Sequence, residues 1–232
     1  MDFQRYEESS VYETRQVDRS EAKFSWCKTS YRDVYRYLQI IKRDKARRSD
    51  QTVAGPIACL GVRNGREVDL FRVALSSGWF RRYLVSCSER KWHGFTPRIP
   101  IAEALGRSEV QKLSDESCIG VEINPAGRRS DVWTGSFDAL PDEWDQKFGV
   151  VFSNAFDHAF DPSQTATSWL RILRPGGYIV FQFSEDQNSC PLEPVGSLSM
   201  DDFRRLFPGE LVHYCLGGSA RGYTEYILRS KT

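Results

Sequence analysis

Residues 148–183 show the clearest succession of apolar runs and polar breaks. Val150–Phe152 form an apolar run that stops at Ser153-Asn154, where polar side chains begin. A loop with Asp157 and His158 follows, then an amphipathic segment carrying Trp169, Leu170, Ile172 and Leu173. After a Pro175-Gly176-Gly177 turn comes a second apolar run, Tyr178–Phe183. Strand, polar strand end, helix, turn and strand make one βαβ unit of a parallel sheet. Open α/β sheets bind ligands outside the carboxyl ends of their strands, so Asn154–His158 lie where chemistry is expected.

The same reading extends in both directions. Residues 1–29 show no sustained period and predict an arm or cap. Ser30 can cap a helix running to about Arg47, with Tyr31, Val34, Tyr35, Leu38 and Ile41 as its apolar stripe. Strand one is Ile57–Leu60, and Gly61–Gly65 turn into a helix over Arg66–Leu75 with Val68, Leu70, Phe71 and Leu75 inward. Strand two is Cys118–Val121, ending at Glu122; Pro125-Ala126-Gly127 make a turn before a short third strand, Val132-Trp133-Thr134. Ser199 and Asp202 predict a capping box for a helix over Met200–Phe207, stopped by Pro208-Gly209. Glu210–Leu216 and Tyr223–Arg229 alternate and are joined by a short glycine-rich loop, which predicts an antiparallel hairpin.

Two spacings are unusual. Glu122 comes 57 residues after Gly65, so residues 78–117 form an insertion between strands one and two. Val132 follows Glu122 by only ten residues, too few for a full crossover helix. The insertion is expected to cover one side of the cleft or to form an interface. Its Trp79, Phe80, Arg81, Arg82, Lys91, Trp92 and Phe95 either contact substrate or pack locally.

At 232 residues with 40% hydrophobic content, the chain can bury a core without disulfide staples. No run of about 18 apolar residues spans a membrane, and the opening MDFQRYEESS has no apolar signal core. The six cysteines, Cys27, Cys59, Cys87, Cys118, Cys190 and Cys215, contain no C-x-x-C pair. Cys59, Cys118 and Cys215 fall in strand-like runs, where a reduced thiol packs as a small hydrophobe. A cytoplasmic location and no metal site are therefore expected. Residues 1–117 carry 22 Lys/Arg against 16 Asp/Glu, and residues 118–232 carry 10 against 15. Solvated helix faces account for most of that asymmetry, with a basic patch for an anionic substrate as the alternative. Nothing approaches the basicity of a dedicated nucleic-acid binder.

Candidate chemistry collects at strand ends. In Cys59-Leu60-Gly61-Val62-Arg63-Asn64-Gly65, glycines between strand and helix let backbone N–H groups approach a ligand at the positive end of the helix dipole. Glu122 closes the next core strand, where a carboxylate can accept both hydroxyls of a ribose. Asp157 and His158 are the only acid–imidazole neighbours at a strand's carboxyl end; His93 and His213 read as structural or exposed. His158 could serve as a base toward a hydroxyl or amine, or Asp157 or His158 could cap the following helix or pin the loop.

Together these segments resemble the class I S-adenosylmethionine-dependent methyltransferases over residues 57–229. The carriers are the Gly61–Gly65 loop, Glu122, Gly135-Ser136-Phe137-Asp138-Ala139-Leu140-Pro141, and Leu173-Arg174-Pro175-Gly176-Gly177. The family's loop reads acidic-x-Gly-x-Gly-x-Gly; here Cys59 replaces the acid and Arg63 the middle glycine, so the first motif is degenerate. Ser136 stands at the family's usual aspartate, Asp138 either takes over its polar role or is solvated, and Phe137 either stacks on adenine or packs in the core. Arg63 either fills space near the methionine end or grips its carboxylate. The resemblance implies a Rossmann-like, doubly wound α/β fold: a seven-stranded, mostly parallel sheet with a C-terminal antiparallel hairpin in a three-layer αβα sandwich. Residues 1–55 would be an arm and helix packed on the core, and 56–232 the methyltransferase-like domain.

The implied function is methyl transfer to a hydroxyl or amine of a small molecule, with S-adenosylmethionine as cofactor. Gly61, Arg63, Asn64, Gly65, Glu122, Ser136, Phe137 and Asn154 would hold the cofactor, and Asp157 and His158 would be catalytic. The alternative is a non-catalytic binding or regulatory protein on the same scaffold. A nicotinamide dehydrogenase fits worse, wanting Gly-x-Gly-x-x-Gly and an acid about 20 residues on, and an NTPase is excluded for want of Gly-Lys-Ser/Thr. No membrane or nucleic-acid partner is expected; a second copy would dock through the insertion or the arm.

Overall fold

The computed structural model describes residues 8–22, 27–50, 55–75, 118–184, 188–190, 193–196, 198–219 and 222–231. The insertion expected over 78–117 lies outside them, as does His93. The described helices are α1 (Ser9–Ala22), α2 (Tyr31–Arg47), α3 (Arg66–Leu75), α4 (Pro162–Ile172) and α5 (Met200–Leu206). The strands are β1 (Ile57–Leu60), β2 (Cys118–Glu122), β3 (Val132–Thr134), β4 (Phe148–Ser153), β5 (Leu173–Phe183), β6 (Gly209–Cys215) and β7 (Thr224–Ser230).

These strands form one seven-stranded sheet in the order β3-β2-β1-β4-β5-β7-β6. The first five pair in parallel, and β7 enters between β5 and β6, antiparallel to both. Side-chain alternation then divides the core between two faces. Ile57 and Cys59 of β1 join the cluster under α2 and α3 with Val34, Tyr37, Ile41 and Phe71. Ala58 and Leu60 join the cluster under α4 and α5 with Trp169, Phe203 and Phe207. Among the cysteines, Cys59 and Cys118 are buried and outside any disulfide, packed in the apolar core; Cys215 is only half-buried.

The helix starts follow local chemistry. In α2, Ser30 Oγ accepts from the Asp33 N–H at 3.2 Å, while the Ser30 N–H donates to Asp33 Oδ2 at 2.9 Å. That reciprocal pair satisfies two backbone donors the helix leaves open. The stripe differs by one residue from expectation. Tyr37 is buried and Tyr35 is 38% exposed, because Tyr37 reaches inward to donate to Glu225 Oε1 at 2.5 Å. Leu75, expected inward on α3, is likewise 37% exposed. The cap of α4 is Asp161, whose Oδ1 accepts from the N–H groups of Ser163 and Gln164; neither Asp157 nor His158 caps it. Pro175-Gly176-Gly177 is not a turn before β5 but an irregularity inside it. Pairing slips from Phe148↔Leu173 to Val150↔Tyr178 across that stretch, and Gly176 accommodates the slip at φ +69°.

The cleft follows from this topology. Strands leave β1 toward β2 on one side and β4 on the other, so the carboxyl ends of β1 and β4 flank the switch point where a ligand crevice opens. Leu60 pairs with Ser153 there, setting Gly61 and Asn154 side by side.

Candidate active site

A hollow of about 760 Å³, open mouth and adjoining solvent included, sits over those strand ends, at the place in the fold where open α/β sheets bind ligands. The sheet contributes Gly61 and Arg63 after β1, Glu122 and Ile123 at the end of β2, Ser136, Phe137 and Asp138 after β3, and Asn154, Ala155 and His158 after β4. Of the residues expected from the sequence, Gly61, Arg63, Glu122, Ser136, Phe137, Asn154 and His158 line it. Asn64 and Gly65 do not. Asn64 Oδ1 accepts from the Arg66 N–H at 3.1 Å, and Gly65 backs onto Arg129, whose guanidinium a Cβ there would strike at 2.7 Å. They shape the turn into α3. Asp157 lies behind the wall, its Oδ2 3.8 Å from His158 Nε2 and 3.6 Å from Lys28 Nζ. Burial alone would push its carboxyl up, but His158 when protonated, together with Lys28 and Arg19, outweighs that and holds it below the usual carboxylate range.

The loop after β1 keeps a glycine-like path despite its departures. Gly61 has φ +78°, and a Cβ there would sit 2.6 Å from Ala155 Cβ. Arg63 also adopts a left-handed backbone, φ +49°, which costs a non-glycine residue on the order of 1–2 kcal/mol. Its N–H in return donates to Glu122 Oε2 at 2.7 Å. Glu122 Oε1 accepts from the Asn124 N–H at 3.1 Å and from Ser20 Oγ at 2.8 Å. A carboxylate only 4% exposed thus has three donors, consistent with the requirement that buried charge be hydrogen-bonded.

Phe137 lines the hollow and packs toward the core, its ring meeting the Trp169 indole edge to face with centroids 5.6 Å apart. Trp169 Nε1 donates to the Phe137 carbonyl at 3.0 Å, so the core helix α4 fixes this wall. Asp138 turns into the protein: Thr165 Oγ1 donates to its Oδ1, and Ser136 Oγ lies 3.3 Å from Oδ2. Burial, opposed by hydrogen bonds from Thr165, Phe160 and Ser136, raises its pKa to about 6.

The residues that sequence reasoning missed come mainly from α1, which lies across the hollow and supplies Tyr12, Glu13, Gln16, Arg19 and Ser20. Tyr12 Oη donates to the His158 carbonyl at 2.5 Å, Arg19 pairs with Glu193, and Ser20 reaches Glu122. The expected arm or cap is thus a helix over the cleft, and its inward face is polar. A polar face carries no apolar period, which is why no helix could be read there. Lys28 and Glu67 were also missed. Glu67, in the first turn of α3, is 4% exposed; its Oε1 accepts from Asn154 Nδ2 at 3.1 Å and Cys27 Sγ at 3.2 Å.

Metal ligation was not expected. Asp157, His158 and Glu193 offer ligand atoms within 4.8 Å of one another, and both carboxylates also pair with cations, Asp157 with Lys28 and Glu193 with Arg19. No described helix is long and apolar enough to cross a membrane.

No protein-family model matches the chain, and no curated protein does. Solved structures do. An S-adenosylmethionine-dependent methyltransferase from Thermotoga maritima superposes at TM-score 0.46 with 17% identity, over 96% of this chain and 99% of that one. The N-methyltransferase NodS from Bradyrhizobium japonicum gives TM-score 0.45 and 13% identity over 85% and 95%. An S-adenosylmethionine-dependent methyltransferase from Mesorhizobium loti gives 0.42 and 12% over 79% and 95%. Superpositions at these TM-scores and identities decide nothing by themselves, and the strand order carries the conclusion. Five parallel strands with β7 inserted antiparallel beside β5, and helices on both faces, give this chain the Rossmann-like α/β fold of the class I S-adenosylmethionine-dependent methyltransferases.

Proposed function

We propose that the chain is a cytoplasmic S-adenosylmethionine-dependent methyltransferase acting on a hydroxyl or amine of a small molecule. The observation that carries this reading is Glu122: a buried carboxylate at the end of β2, beside a glycine bend, facing the hollow at the sheet's switch point. Glu122 would take the ribose hydroxyls, Phe137 and Ser136 would flank adenine, and Gly61, Arg63 and Asn154 would border the amino-acid end. When bound, S-adenosylmethionine supplies a methyl group on a sulfonium, an electrophile that needs no further activation.

The chain's own contribution is then placement. Holding an acceptor in line with a reactive carbon contributes on the order of 7–11 kcal/mol through proximity. His158 borders the hollow and can take the acceptor's proton, a role worth roughly 10²–10⁴-fold. The carboxylate of Asp157 near Nε2 would favour the imidazolium so formed. α1 and its Tyr12 would exclude water above the reacting groups.

The competing reading is a non-catalytic protein on the same scaffold. One observation favours it: both carboxylate oxygens of Glu122 already accept hydrogen bonds from the protein, including one from Ser20. Calorimetry separates the two. Saturable heats with S-adenosylmethionine and S-adenosylhomocysteine, none with NADH, and loss of both in Glu122→Ala are expected. Silence with the adenosyl compounds would leave the scaffold reading standing.

A further inference from the structure

One buried charge in the hollow is unused by the assignments above. Glu67 Oε2 is enclosed and has no hydrogen-bond partner among the described residues, although Oε1 has two. Its neighbours are neutral: Asn154 Nδ2 also donates to Thr29 Oγ1 at 3.0 Å, Thr29 Oγ1 donates to Gln182 Oε1 at 2.6 Å, and burial keeps the Cys27 thiol protonated. Among the described residues no cation lies within ion-pairing distance of Glu67. Desolvation raises its pKa, and the charge of Arg63 acts the other way from beyond pairing distance. Leaving a buried carboxyl oxygen without a donor is costly, and a site that does so is built for a donor it does not itself supply.

The position narrows what that donor is. Glu67 and Arg63 border the same hollow, one carboxylate and one guanidinium four residues apart around the glycine bend, unpaired with each other among the described residues. An α-amino acid presents the complementary pair, an ammonium and a carboxylate on one carbon. Resting on the methyltransferase reading, we propose that Glu67 and Arg63 form a zwitterion clamp for the amino-acid end of the cofactor. Glu67 Oε2, oriented by Asn154 and Cys27, receives the ammonium, and Arg63 faces the carboxylate. Arg63 at the family's glycine is then a recognition residue rather than an obstruction, and its left-handed backbone keeps the loop's path while adding a cation.

Three ligands test this by calorimetry: S-adenosylhomocysteine, its decarboxylated analogue, which keeps the ammonium, and 5′-methylthioadenosine, which has neither charge. Glu67→Gln keeps an acceptor for Asn154 and Cys27 and is nearly isosteric. It should weaken S-adenosylhomocysteine and the decarboxylated analogue by about ten- to a hundredfold and leave 5′-methylthioadenosine unchanged. Arg63→Gln should weaken only S-adenosylhomocysteine. Equal losses for all three ligands would show Glu67 and Arg63 shaping the pocket only, and no loss in Glu67→Gln would assign the carboxylate elsewhere, such as to an acceptor amine; either overturns the clamp. If the wild-type protein binds none of the three, the methyltransferase reading itself fails. Thermal melting of both variants within a few degrees of wild type guards against misfolding.

Discussion

Single side chains in this cleft are set by what surrounds them more than by their type. Asp138 is the clearest case, a carboxyl pushed up to about 6 by burial. Because the folded protein holds that proton more tightly than the unfolded chain, the associated stability is complete below the ordinary aspartate value and is lost as pH rises through about 6. The loss is up to about 3 kcal/mol, reduced by the partial exposure of the side chain. Asp138→Asn keeps an acceptor for Thr165 and removes this titration, so between about pH 4 and 6.5 the urea midpoint of the wild type should fall relative to that of the variant. An unchanged slope would place the proton elsewhere. Glu67 illustrates what a residue-level reading cannot supply. In sequence it is one acid in the first turn of a helix, where the macrodipole favours acids anyway; only the approach of Asn154 and Cys27 from distant segments makes it a buried, half-partnered charge.

At the scale of elements, α1 decides access to the hollow. It is held by Tyr12 on the His158 carbonyl, Arg19 on Glu193, and Ser20 on Glu122. The last contact places a hydroxyl where the ribose hydroxyls are proposed to bind. Ser20→Ala should therefore tighten S-adenosylhomocysteine by about two- to tenfold, the worth of one hydrogen bond, and speed hydrogen exchange along α1. Weaker binding would mean that Ser20 assists the ligand instead of competing with it. The core elements were far more legible. β1, α3 and β3 have the bounds that their residue patterns predict, since β1 and β3 are short runs closed by glycine and α3 opens after Gly65 with apolar residues at helical spacing. The Pro-Gly-Gly segment was legible as a break but not as a bulge. Whether a break turns the chain or merely slips a strand depends on the partner strand, here β4.

Across the whole molecule, the aromatic cluster between sheet and helices ties core to cleft. Trp169 is fully buried against Phe156, Phe181 and Phe207, and it hydrogen-bonds the Phe137 carbonyl at the cleft wall. Trp169→Ala should cost about 3–5 kcal/mol in chemical denaturation and, where the fold survives, weaken adenosyl binding through the freed Phe137 wall. Stability loss with unaltered binding would uncouple the two. The sequence by itself determined the alternation of strands and helices, the parallel sheet closed by a hairpin, and the strand ends at which Gly61, Glu122, Asn154 and His158 cluster. These follow from local periodicity, caps and breakers, which act over a few residues. The tertiary structure alone decided that a polar N-terminal helix covers the cleft, that Asn64 and Gly65 face away from it, and that Glu67 stands in it with an oxygen to spare. Those facts depend on contacts between segments tens of residues apart, and a buried polar contact is specified by both partners at once, so neither stretch of sequence announces it.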